Sequence, residues 1–160
     1  VGGLVVVSLD TLGASKVAQR SLGDRTRGSL LASALMSEIL NQSYQDPNET
    51  PVAGLELSEN PLLRTTYDDV DDYRNITDSP PKLKDGTVMQ GFTGWTRSVV
   101  VLRVDPNNLS TLSLSESGAK KMTITVKHGS VVVATLVGIK TSASPAAGTG
   151  GTIKMVKAAV

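Results

Sequence analysis

The residues best suited to chemistry in this chain are four aspartates in one short run between two tyrosines. They are Asp68, Asp69, Asp71 and Asp72. Calcium takes six to eight oxygen ligands, mostly carboxylates and carbonyls, so this run could supply a calcium site. The spacing differs from that of an EF-hand loop. Two alternatives therefore stay open. The run forms a solvated loop, or it pairs with the basic residues of a predicted sheet: Arg97, Arg103 and Lys120.

The chain offers few of the side chains that enzymes use. His128 is the only histidine, and cysteine is absent. The side chains usually required for thiol catalysis, for Ser-His-Asp catalysis and for zinc binding are therefore missing or too few. The clustered carboxylates are neighbours in one loop, whereas glycosidases place a pair across a cleft. We predict that the protein is not an enzyme and has no catalytic residues, with calcium as the one possible cofactor.

A long helix is predicted over residues 1–45, because no proline interrupts them and apolar residues recur at helical spacing. An N-terminal apolar stripe forms a predicted assembly face: Leu4, Val5, Leu9 and Leu12. A second stripe forms a predicted face for packing on a sheet: Leu31, Leu35, Met36 and Ile39. Such a helix would be about 65 Å long, against roughly 30–40 Å for a domain of this size. We expect the helix to overhang its domain and to bury its apolar end in a membrane, a filament or another chain.

The remainder of the chain divides into three parts. Residues 46–94 hold five of the seven prolines and predict an acidic, loop-rich region. Residues 95–141 alternate apolar and polar side chains and predict an antiparallel sheet. Residues 142–160 predict a flexible tail with a possible extra strand over 152–160. The fold class is therefore α+β, with a long N-terminal helix packed on a three- to four-stranded antiparallel sheet. We expect the first strand to bury the face that carries Ser98, Val100, Leu102 and Val104.

Charge is distributed unevenly along the chain. Residues 46–86 carry ten acidic and four basic side chains, and residues 87–160 carry two acidic and eight basic ones. This asymmetry predicts complementary patches, within the fold or between neighbouring subunits. A nucleic-acid interface would more often combine clustered Lys and Arg with aromatic residues, so no nucleic-acid partner is predicted.

Four segments together carry a resemblance to a known family. They are the apolar opening (residues 1–12), the Ala/Leu/Met-rich helix segment (30–40), the Tyr67-Asp-Asp-Val-Asp-Asp-Tyr73 run and the strand over 132–141. With the helix-then-sheet layout, they resemble the type IV pilin-like superfamily, closest to prepilin-type minor pilins and to I-type pseudopilins of type II secretion. The resemblance implies that this chain is truncated at its N-terminus relative to the family, because the cleavage site and the first apolar residues are missing.

The resemblance also implies a function, partners and a location. The function is that of a structural subunit of a type IV pilus-like filament or a type II secretion pseudopilus, which assembles through its N-terminal helix. The partners are other pilin or pseudopilin subunits, and the inner membrane before assembly, through residues missing from this chain. The location is the bacterial cell envelope, as an inner-membrane-anchored periplasmic domain or an extracellular filament. The acidic run supports an alternative, a calcium-dependent extracellular binding or adhesion module on a helical stalk.

Overall fold

The fold combines one long helix with an antiparallel sheet. The computed structural model describes residues 3–46, 54–55 and 59–142, with side chains described from residue 19 onward. The predicted assembly face (Leu4, Val5, Leu9, Leu12) and the tail after residue 142 lie outside the described side chains. The elements are helix α1 (Gly3–Leu40), single-turn 3-10 helices (Arg64–Thr66 and Asp71–Tyr73) and strands β1 (Thr77–Asp78), β2 (Trp95–Asp105), β3 (Asn108–Leu112), β4 (Ala119–His128) and β5 (Val131–Thr141).

The described strands form one antiparallel sheet in the order β1-β2-β4-β5, with β3 paired to β2. The α+β prediction of a helix on an antiparallel sheet is confirmed, but the sheet has five strands rather than three to four. One added strand is the short β3, which follows the turn after Asp105. The other is the two-residue β1, which pairs with β2 so that Asp78 lies opposite Arg97. This ion pair helps to hold the short strand of the loop-rich region at the edge of the sheet.

The helix ends earlier than predicted. It stops at Leu40 rather than near residue 45. Lys140 of β5 donates hydrogen bonds from Nζ to the carbonyl oxygens of Leu40, at 2.9 Å, and Gln42. Ser43 then pairs with the acidic run, since its N–H donates to the Asp68 carbonyl at 2.9 Å. These tertiary contacts satisfy backbone C=O and N–H groups that would otherwise have formed the hydrogen bonds of a further helical turn.

The C-terminal half of α1 packs on β4 and β5. The four residues of the predicted packing face are buried there, at 0–3 % exposure: Leu31, Leu35, Met36 and Ile39. Helix and sheet approach each other closely at two glycines. A Cβ at Gly28 would lie 2.7 Å from Val133 Cγ2, and one at Gly138 would lie 2.5 Å from Met36 Sδ. Both positions are too tight for a side chain without movement of the neighbour.

The prediction for the buried face of β2 is wrong. The core side carries Trp95, Arg97, Val99 and Val101, all at 3 % exposure or less. Of the expected set, only Val104 is buried. The pairings of Val99 with Ile124 and of Val101 with Met122 align this side with the buried residues of β4. Arg97 made this face look solvent-exposed, but its burial is possible because its charge is paired with Asp78.

Candidate functional site

The acidic run folds into a tight turn in which two aspartates cap the backbone. Asp72 Oδ2 accepts hydrogen bonds from the N–H groups of Asp68 and Asp69, both at 2.9 Å. Asp69 Oδ1 in turn accepts from the N–H groups of Asp71 and Asp72. Both capping side chains are 1 % exposed. Such side-chain-to-backbone bonds explain why aspartate suits this turn without any metal.

Asp71 is directed toward the sheet. Its Oδ2 lies 3.0 Å from Nζ of Lys120 and 3.7 Å from Nη2 of Arg103. Lys120 is completely buried and also donates to the carbonyl oxygen of Tyr44, whose ring centroid lies 4.5 Å from the ammonium. The ion-pairing alternative for the acidic run therefore holds for Asp71. Because both Asp71 and Lys120 are buried, this pair joins the turn rigidly to β4.

Arg97, the third expected partner of the run, binds elsewhere. Its Nη2 donates to Asp78 Oδ2 at 2.6 Å and to the Lys82 carbonyl oxygen at 2.6 Å. Arg64 donates to the same two oxygens, at 3.3 and 2.9 Å, and its Nε donates to Glu38 at 2.8 Å. Arg64, Arg97 and Asp78 are all nearly buried. This network attaches the loop region to both the helix and the sheet. It was not predicted from the sequence, because Arg64 belongs to no periodic pattern or motif.

The predicted calcium quartet does not come together as one group. Instead, Glu59, Asp68 and Asp72 each place a carboxylate oxygen so that the three lie within 4.8 Å of one another. Asp72 Oδ1 is buried and has no hydrogen-bond partner among the described residues. Glu59 was not foreseen, because it lies nine positions before the run in a loop without periodicity. We call Glu59, Asp68 and Asp72 the carboxylate triad.

Burial shifts the pKa values of the two capping aspartates upward. Desolvation is the largest cause for Asp72, whose pKa rises to about 7, and the nearby Glu59 carboxylate adds to the rise against two backbone N–H donors. Desolvation likewise raises the pKa of Asp69 to about 6, helped by the charge of Asp72 and opposed by Lys120. Burial in the turn thus disfavours the charged form of both carboxyl groups.

A second region of interest lies where α1 leaves the sheet. Asp24 Oδ2 lies 2.9 Å from His128 Nδ1, and the imidazole stacks on Trp95 with ring centroids 4.6 Å apart. One turn later, the Arg27 guanidinium lies over Phe92 at 4.8 Å. Asp24 and Arg27 thus attach α1 to the sheet and its neighbouring loop at this point. A groove of about 410 Å³ opens beside them, lined by Ser21, Asp24, Arg25, His128, Val131, Val132 and Val133.

The helix continues toward its N-terminus beyond these contacts. Residues 3–23 of α1, which we call the helix overhang, add roughly 30 Å of helix at 1.5 Å per residue. The described side chains of the overhang are solvent-exposed, and Leu22 is 65 % exposed. Within the part of the chain that the structure describes, no helix has both the length and the apolarity that a membrane span requires.

Comparisons with protein-family models, with curated proteins and with solved structures find no match to this chain.

Proposed function

We propose that the protein is a structural subunit of a type IV pilus-like filament or secretion pseudopilus, and that it assembles through its N-terminal helix. The observation that carries the proposal is the helix overhang. Helix α1 extends for about another 30 Å N-terminal to the Asp24–His128 contact, and its described side chains there, residues 19–23, are exposed.

The energetics of an isolated helix support a partner for the overhang. Helices shorter than about 12–15 residues are marginal in water, and longer ones gain most of their stability from packing of an apolar face. Gly23 has nothing within 4 Å of its Cβ position and weakens an unsupported helix by roughly 1 kcal/mol relative to alanine. The apolar stripe expected at Leu4, Val5, Leu9 and Leu12 would gain burial by packing against the same stripe of neighbouring subunits.

The charge asymmetry of the chain contributes less to neighbour choice than its size suggests. Part of it is satisfied inside the fold, by Asp71 with Lys120 and by Asp78 with Arg97. On the helix, Arg20 and Arg25 stay exposed beside the overhang. Exposed charges of this kind influence association rate and partner choice more than they influence affinity. Helix packing is therefore the main source of the proposed assembly energy.

Single-cysteine cross-linking tests the proposal, because the chain has no cysteine of its own. We expect Leu22→Cys, in the chain with its native N-terminus, to give a ladder of covalent oligomers with a short bis-maleimide. Leu114→Cys is the matched control, since Leu114 is fully exposed on the loop between β3 and β4. Cross-linking at residue 22 that is no stronger than at residue 114 would reject assembly through the helix.

A further inference from the structure

The carboxylate triad has the spacing of ligands that share one ion. Oxygen ligands bind calcium at about 2.3–2.6 Å, so two of them on one ion lie at most about 5 Å apart. The three oxygens of Glu59, Asp68 and Asp72 lie within 4.8 Å of one another. Carboxylates held this close repel each other unless a cation lies between them or two of them share a proton.

A separate observation points to a missing ligand at this place. Asp72 is 1 % exposed, and its Oδ2 already accepts two backbone N–H groups. Its Oδ1 is the one buried side-chain oxygen or nitrogen, among the described residues, that has no hydrogen-bond partner. A buried acceptor left unsatisfied costs about 1–3 kcal/mol, and more when it is charged. One oxygen of the Asp72 carboxylate therefore has its hydrogen bonds within the turn, whereas the other oxygen lacks a hydrogen-bond partner among the described residues.

Three basic side chains around the loop region contact carboxylates outside the triad. Lys120 and Arg103 contact Asp71, and Arg64 contacts Glu38 and Asp78. Carboxylate oxygens alone favour a hard cation over zinc or copper, which prefer nitrogen and sulfur ligands. Glu59 and Asp68 are half-exposed, which leaves room for water to complete the coordination. Calcium accepts irregular coordination geometry, whereas magnesium demands a near-ideal octahedron.

We propose that Glu59, Asp68 and Asp72 bind one calcium ion, which joins the segment around Glu59 to the acidic turn. This set differs from the quartet expected from the sequence, because Asp69 caps the backbone and Asp71 pairs with Lys120. The turn also bonds to Ser43, just beyond the end of α1, through the Val70 N–H. Bound calcium thus holds the loop region against the end of the helix.

Isothermal titration of EDTA-treated protein with calcium chloride tests the site. We expect one calcium per chain, a higher Tm in calcium than in EDTA, and affinity weakened by about tenfold or more in Glu59→Gln. Glu59→Gln is preferred to a change at Asp72, because Asp72 also caps the turn and its loss would disturb folding. Asp85→Asn is the matched control, since it removes one negative charge from an exposed loop, and we expect it to bind calcium like the wild type.

Two results would overturn the proposal. The first is the absence of calcium binding to a folded wild-type chain, which would mean that the triad is held together without a metal ion. The second is equal weakening of calcium binding in Glu59→Gln and Asp85→Asn, which would indicate diffuse attraction to an acidic surface.

Discussion

Replacing Lys120 with methionine should destabilise the protein strongly, although the new side chain is of similar length and apolar. Lys120 is completely buried, and its ammonium contacts Asp71 Oδ2 at 3.0 Å and the carbonyl oxygen of Tyr44. Lys120→Met leaves the Asp71 carboxylate, itself 5 % exposed, without its closest positive partner.

The expected cost follows from what remains around Asp71. Removing one partner of a buried ion pair typically costs 3–5 kcal/mol. Arg103 stays 3.7 Å from Asp71 and compensates in part, so we expect a loss at the lower end, about 3 kcal/mol in the free energy of unfolding. Adding Asp71→Asn to Lys120→Met removes the uncompensated charge and should recover part of the loss.

Urea unfolding followed by circular dichroism measures this loss through the midpoint, provided that the m-value is unchanged. Lys121→Met is the matched control, because the Lys121 ammonium makes only an exposed hydrogen bond to the Leu109 carbonyl. It should change stability by less than about 0.5 kcal/mol. If Lys120→Met and Lys121→Met shifted the midpoint equally, the stabilising role of the buried pair would be refuted.

Three further predictions concern the helix, the buried network and the acidic turn. Gly23→Ala should stabilise the protein by up to about 1 kcal/mol, whereas Gly28→Ala should destabilise it because Val133 must move; equal thermal shifts would contradict the close approach. Asp78→Ala should cost about 3–5 kcal/mol, because the buried Arg97 loses its carboxylate partner and Arg64 retains only Glu38 among its described ion pairs. Asp85→Asn, in an exposed loop, should leave the urea midpoint nearly unchanged, because the amide oxygen can still accept the Thr87 N–H. In EDTA, the unfolding free energy should fall as pH rises from about 4 to about 7, because the pKa values of Asp69 (about 6) and Asp72 (about 7) exceed the ordinary 3.8 and the folded state binds the extra protons. Urea midpoints that rise across this range would contradict the burial of these two groups.

The pattern of apolar residues was sufficient to predict the helix and the three long strands of the fold. The helical spacing of Leu31, Leu35 and Ile39 indicated the helix face that the structure buries. Alternation indicated strands β2 and β4, and a continuous apolar run indicated β5. These signals are local, and each repeats over ten or more residues. The end of α1 was not predictable in the same way, because it depends on Lys140, a hundred residues away in sequence.

Errors arose where charged residues are buried. Arg97 on β2 looked like a solvent-facing residue, and only its pairing with Asp78 permits it to lie in the core. The acidic run looked like one site, but the fold divides it between backbone capping, an ion pair with Lys120 and the carboxylate triad. Charge pairing between distant segments leaves no periodic signal in a single sequence. The sequence therefore indicated which charged residues matter, but it did not indicate which residues they pair with.

Electron microscopy of the chain with its native N-terminus, compared with the same chain lacking residues 1–12, tests the filament proposal most directly. The proposal predicts filaments with a central bundle of helices from the intact chain, and a folded domain without filaments from the shortened one. Retained circular dichroism and a cooperative urea transition would establish that the shortened chain is folded. Filaments of normal appearance from the shortened chain would contradict assembly through the N-terminal helix.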